Sequence, residues 1–133
     1  MTFVLDSSAL VAHALNLTGA NEVQALLDDD EHEILLSALS LFELAGVLKQ
    51  QGAKAKIPVY WETYRECATV VPADAVIIEA AWRLRERVGQ RIPMADAVIA
   101  ATAQTRSGTL VHRDQHLAQI PQRLLPQVRL PGG

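Results

Sequence analysis

Cysteine is nearly absent from this sequence. Cys67 is the single one among 133 residues, which excludes an intrachain disulfide and any thiolate metal cluster built within one chain, and so points to a reducing, cytoplasmic setting. A lone thiol of this kind is expected to be buried. Aromatic residues are scarce too, at 5% of a chain that is 50% hydrophobic. The apolar content is therefore mostly Ala, Leu and Val, which suits helices packed on a sheet better than an all-β sandwich. No apolar run approaches the roughly 18 residues of a membrane span. The start, MTFVLD, has no basic region and its apolar run is cut by Asp6, so no signal peptide is expected. A surplus of positive charge is also lacking: the net charge is −3, which excludes binding of nucleic acid by bulk electrostatics. Any such binding must be local, through bound metal cations or the arginine-rich run WRLRERVGQR (82–91).

What is present reads as one domain, residues 1–133, long enough to bury roughly 65 to 70% of its unfolded surface in a single core. Short apolar runs alternate with helical patterns. TFVLD, EILLSA, ATVVPAD, TLVH and QVRLP read as strands. A helix opened by serine follows the first strand, with Leu10, Val11, Ala14 and Leu15 on one side. LSLFELAGVLKQQG carries two apolar series, Leu41, Leu44, Leu48 and Leu39, Phe42, Val47, and is expected to be broadly buried. Asp74 is placed to cap AVIIEAAWRLRERV, and Pro93 opens the helix that runs toward Gly108. The alternation predicts an α/β fold, a three-layer sandwich with a central, mostly parallel sheet of four to five strands.

Several carboxylates then stand where a carboxylate is costly. Glu43 lies within SLFELAGVL (40–48), between Leu39 and Val47 on an apolar face, and no basic residue is placed to cover it. An unpaired buried carboxylate costs several kcal/mol, so it needs a cation. Asp96 sits in the first turn of MADAVIAATA (94–103), where the helix dipole offsets only about 0.3 to 1 kcal/mol, yet Ile99, Ala100 and Ala103 share its face. Asp6 follows the strand TFVL, and Asp114 follows TLVH. Each acid alone has an ordinary structural reading: Asp6 as a helix cap, Asp96 as a partner of the dipole, Asp114 as the closure of a turn. In open parallel sheets, however, sites form outside the carboxyl ends of the strands. All four acids would converge there with no basic partner, and Mg²⁺ or Mn²⁺, hard cations that take oxygen ligands, would relieve their repulsion.

In order and spacing, FVLDSSAL, SLFELAGVL, MADAVIAATA and TLVHRDQHL resemble the four acidic motifs of PIN-domain nucleases, and within them the VapC-like toxins of prokaryotic toxin–antitoxin pairs. The likeness covers nearly the whole chain. It implies metal-dependent hydrolysis of RNA phosphodiesters by Asp6, Glu43, Asp96 and Asp114, with Asp6, Asp96 and Asp114 holding Mg²⁺ or Mn²⁺ and Glu43 orienting the attacking water. It further implies a homodimer, a cytoplasmic location and a cognate antitoxin whose peptide lies in an apolar groove. Ser8 either hydrogen-bonds an acid or water in the site or caps a helix. Arg91 and Arg113, near the acids in sequence, are candidate RNA contacts; for most of the arginines of the run a solvated helix face is the expected reading. At one motif the chain departs from the family, since His112 and His116 stand two residues before and after Asp114, where a hydroxyl residue and a further acid are common.

Other readings carry less. A zinc site from His112 and His116 loses its spacing because the pair straddles a strand end. HRD lacks the remaining elements of a kinase. A haloacid-dehalogenase-type phosphatase would need an aspartate where Ser8 stands. A phosphoacceptor signalling domain would use a late lysine, and the last one is Lys56. An inactive PIN-like binding partner is the remaining alternative. Tyr60, Trp61 and Tyr64 could stack on bases, but their helical spacing predicts packing. The run Asp28, Asp29, Asp30 and Glu31 reads as a solvated loop.

Overall fold

Strands this short and this apolar need helices on both sides, and that is what the computed structural model contains over the residues it describes, 1–89 and 91–132. In chain order the elements are β1 (Thr2–Leu5), α1 (Ser7–Ala14), α2 (Ala20–Asp28), β2 (Glu33–Ser37), α3 (Ala38–Gln50), a 3₁₀ turn (Lys54–Lys56), α4 (Ile57–Cys67), β3 (Thr69–Val71), α5 (Ala75–Val88), α6 (Met94–Thr105), β4 (Thr109–His112), α7 (Gln115–Ala118) and β5 (Gln127–Arg129). The five strands form one parallel sheet in the order β3-β2-β1-β4-β5. The α/β sandwich expected from the sequence is therefore the observed architecture.

Side chains alternate across each strand, and the alternation divides the core. Val4, Leu35 and Leu110 face the layer that supplies Ile77, Leu84, Val98 and Ile99 from α5 and α6. Phe3, Leu5, Ile34 and Val111 face the opposite layer with Ala9 and Val23. Leu10, Leu36, Leu44, Leu48 and Tyr64 extend that second layer through α1, α3 and α4. At Gly108, before β4, a Cβ would stand 3.1 Å from Val4 Cγ2 and 3.2 Å from Thr2 Cγ2, so a glycine lets the chain enter the sheet beside β1 without displacing those side chains.

The strand order sets the position of the site. From β1 the chain winds outward through β2 and β3, then returns to lay β4 and β5 on the other side. The carboxyl ends of β1 and β4 flank this reversal, where open α/β sheets form a crevice. Asp6 and Asp114 lie just past those two strand ends.

Three local expectations are corrected. The first helix is opened by Asp6 rather than by serine: the Asp6 carboxylate accepts from the backbone N–H of Ala9. In α3, Leu44 and Leu48 are buried but Phe42 is 77% exposed, because α3 packs by one face only. Cys67, the last residue of α4, is exposed; among the described residues of that helix only Tyr64 is buried. Most of the arginine run is exposed as expected, while Arg85 donates from Nε and Nη2 to the Ile92 carbonyl at 2.9 and 2.7 Å. That clamp ties Ile92, just before α6, back to α5. Tyr60, Trp61 and Tyr64 are packing residues as expected: Tyr60 donates to Ala14 O, Trp61 to Leu41 O, and Tyr64 Oη is 2.8 Å from His13 Nδ1.

Candidate active site

β1 ends at Leu5, but the ladder continues for one more bond, from Asp6 N–H to Val111 O at 3.1 Å. Asp6 is thereby fixed against β4 with 1% of its surface exposed. Its Oδ1 accepts the Ala9 N–H at 2.9 Å and the Ser8 hydroxyl at 2.7 Å. Helix cap and buried anion are thus one residue, and among the described residues Oδ2 has no hydrogen-bond partner. Burial pushes the carboxyl up to about 7, against the hydrogen bonds from Ala9 and Ser8, and the nearby Asp114 adds to the rise. Ser8 also accepts the Arg113 N–H at 2.7 Å, so of its two expected roles it plays the one at the acid; the cap belongs to Asp6.

Asp114 caps α7. Its Oδ1 accepts the backbone N–H of His116 at 2.6 Å and of Leu117 at 3.4 Å. The two flanking histidines separate in role. His112 is fully buried; its Nδ1 accepts the Asp114 N–H at 3.0 Å, which leaves Nε2–H to donate to Gln127 Oε1 at 2.7 Å. Burial lowers its pKa, so it is a neutral ring that shapes the turn. His116 faces the acids instead, with Nδ1 3.3 Å from Asp114 Oδ1.

Asp96 projects from the first turn of α6, and its carboxyl is pushed up to about 6 by burial, then by the charges of Asp114 and Glu43, with His116 opposing. One ligand atom each from Asp96, Asp114 and His116 lie within 4.8 Å of one another. Glu43, on α3, accepts the Ser7 hydroxyl at 2.7 Å. Electrostatically the four acids form a connected series: Asp6 feels Asp114, and Asp96 feels both Asp114 and Glu43. Among the described residues no lysine or arginine pairs with any of them.

Anionic oxygens held this close, two of them at raised pKa and none balanced by a basic side chain, form the donor set that a hard divalent cation satisfies. The uncommitted Asp6 Oδ2 and the Asp96–Asp114 pair could hold such an ion. The arginines divide. Arg113 lines a cavity of about 280 Å³ with Asp114, Gln115, His116 and Arg129. Arg91 lines a different one with Trp82, Arg85, Glu86 and Gly89, which contains none of the four acids. The sequence reading singled out His116 but gave it no part in the site, and it missed two neighbours of the acids, Ser7 and Arg129. Ser7 had a signal, being the first hydroxyl after Asp6. Arg129 had none, because it arrives by register, opposite His112 in the β4–β5 pair.

The profile of the PIN domain family matches residues 3–122 of the chain. No curated protein sequence matches it significantly. Solved structures with a similar fold include VapBC2 from Rickettsia felis, solved with a DNA fragment from its promoter, at TM-score 0.77 and 20% identity over 97% of this chain and 98% of that one. VapBC-5 from Mycobacterium tuberculosis follows at TM-score 0.71 and 21% identity, covering 96% and 98%. FitAcB from Neisseria gonorrhoeae superposes at TM-score 0.71 and 23% identity, covering 96% of each chain.

Proposed function

The chain belongs to the PIN-domain family, nucleases that generally use divalent metal ions, and from that premise we propose that it is a Mg²⁺- or Mn²⁺-dependent endoribonuclease, the toxin of a cytoplasmic toxin–antitoxin pair. The observation that carries this reading is the series of four acids, without a basic partner among the described residues, at the switch point of the sheet. Asp6, Asp96 and Asp114 would hold the cation. When bound, it supplies charge neutralisation at the scissile phosphate and a lowered pKa for the attacking water. Glu43, steadied through one oxygen by Ser7, orients that water with the other. Asp6 is set by the Ser8 and Ala9 hydrogen bonds so that its free oxygen points out of the cap. Arg113 and Arg129, which share the cavity beside Asp114, contact the phosphates flanking the cleaved bond. Local cations are what a chain of net charge −3 needs to retain RNA. Arg91, remote from that cavity, is assigned no part.

Partners follow from two apolar surfaces. A groove of about 460 Å³ between α1 and α3 is lined by Val11, Phe42, Gly46 and Val47 and opens onto Ser7, Ser8 and Glu43. A peptide of the cognate antitoxin lying there would reach the acids. A second groove, between α5 and α6, exposes Ile78, Trp82 and Met94 and offers a homodimer face.

The test is cleavage of single-stranded RNA by purified protein. Activity is expected with Mn²⁺ or Mg²⁺, is lost with chelator, and is lost in Asp96→Asn while circular dichroism remains unchanged. Cleavage that survives both treatments rejects the metal-dependent reading. Failure of a co-expressed neighbouring antitoxin gene product to bind and silence the enzyme rejects the toxin assignment alone.

A further inference from the structure

His116 is the one histidine of the chain whose ring turns toward the acids. The others are committed elsewhere. His13 places Nδ1 2.8 Å from Tyr64 Oη and Nε2 2.7 Å from Gln24 Oε1. His112 has both nitrogens engaged in the sheet and turn, and His32 pairs with Asp29. The His116 side chain is 53% exposed, so its torsions are free to adjust, while its own backbone N–H anchors the Asp114 carboxylate at 2.6 Å.

We propose that His116 is a metal ligand of this site, its imidazole nitrogen standing beside Asp96 and Asp114, and that the ion they share is a transition-metal ion such as Mn²⁺ in preference to Mg²⁺. This rests on the metal-dependent reading of the acids. Two donors on one ion with bonds of about 2.1 Å lie roughly 3 to 4.2 Å apart. The ligand atoms of Asp96, Asp114 and His116 are already within 4.8 Å of one another, so a small torsional change of the exposed ring completes the set. The identity of the ion follows from the donors. Mg²⁺ takes oxygen ligands and water, whereas imidazole nitrogen favours first-row transition ions. A further carboxylate at position 116 would have kept the site all-oxygen; the histidine also removes one negative charge from a crowded pocket.

The experiment uses the full chain loaded with one equivalent of Mn²⁺ and read by pulsed electron paramagnetic resonance, with no activity measurement required. Modulation from a directly bound imidazole ¹⁴N is expected in the natural protein and absent in His116→Ala and His116→Asp. In parallel titrations, His116→Ala weakens Mn²⁺ binding about tenfold or more and leaves Mg²⁺ binding little changed, while His116→Asp tightens Mg²⁺. Circular dichroism of both variants establishes that they fold. Stoichiometric Mn²⁺ with no imidazole coupling overturns the assignment of His116 and leaves the nuclease reading standing, as does coupling that persists in His116→Ala. A natural protein that binds Mg²⁺ but no Mn²⁺ also overturns the assignment of His116 alone; one that binds neither ion overturns both.

Discussion

Ser8 accepts the backbone N–H of Arg113 at 2.7 Å, from a residue 105 positions further along the chain. Its own proton goes to Asp6 Oδ1, also at 2.7 Å. One hydroxyl thus joins the end of β1 to the end of β4 and holds Asp6 and Asp114 on either side of a single atom. Ser8→Ala strands the Arg113 N–H and removes a donor from Asp6, at a cost of about 1 to 3 kcal/mol. Because the Ser8 hydrogen bond lowers the Asp6 pKa, its loss is expected to shift the acid limb of the activity profile upward. Urea unfolding measures the first effect and a pH–rate profile the second. Ser8→Thr, which keeps the hydroxyl, restores both.

Asp6 makes the metal-free protein less stable as pH rises. Its carboxyl moves from an ordinary 3.8 to about 7 in the fold. Between those values the native chain holds a proton that the unfolded chain has released. Stability is therefore fully present below about pH 4 and is lost as pH climbs through about 7. The loss at pH 8 is at most on the order of 4 kcal/mol. Thermal unfolding in chelator should show this decline, and Asp6→Asn, which preserves the cap acceptor, should abolish most of it while raising the melting temperature at pH 8 by several degrees. Saturating Mn²⁺ offsets the decline in the natural protein, since an ion at about a hundred times its Kd adds about 2.7 kcal/mol, but not in Asp6→Asn.

The fold was legible because the strands are short, apolar and separated by helices with clear stops. Asp74 and Gly89, for example, bound α5 as cap and left-handed terminus. The acids were legible for a different reason: Asp96 and Glu43 stand among apolar residues of their own helices, and local sequence exposes that conflict, although only Asp96 meets it through burial while Glu43 is half-buried and hydrogen-bonded to Ser7. What stayed hidden depends on direction. Periodicity could not tell that Phe42 projects outward while Leu44 packs, because α3 has more apolar residues than its neighbours can cover. Nor could spacing separate His112 from His116. One ends a strand and turns inward, the other starts a helix and turns toward Asp114, and a two-residue period along an irregular turn encodes neither.

Arg113 and Arg129 enter the same cavity from β4 and β5, and among the described residues neither forms an ion pair. In the proposed role of phosphate-binding cations they would act through counterion release. Replacing both with alanine should weaken RNA binding more at low salt than at high salt. The slope of log affinity against log salt should flatten by roughly 0.7 for each phosphate of a single strand that is no longer neutralised. Fluorescence anisotropy with Asp96→Asn protein, which cannot turn over the probe, measures that slope. An unchanged slope in the double variant places the RNA on another face. Arg91→Ala serves as the control and should leave it unaltered.

Glu43 differs from the other acids in what holds it. Ser7, on the first turn of α1, donates to Oε1 at 2.7 Å, whereas Asp6 and Asp114 also accept backbone N–H groups; like Asp6, Glu43 lies outside the cluster of Asp96, Asp114 and His116. Its charge reaches the site through Asp96. A residue so placed should matter to water orientation more than to retention of the ion. Glu43→Gln keeps the Ser7 hydrogen bond and nearly the same shape, so it tests the charge alone. The expected outcome is a fall in kcat of about 10² to 10⁴-fold with Mn²⁺ affinity changed little. Asp96→Asn should instead lose ion and activity together. Calorimetric Mn²⁺ titration beside single-turnover cleavage separates the two variants; equal loss of metal in both would make Glu43 a ligand rather than the group that orients water.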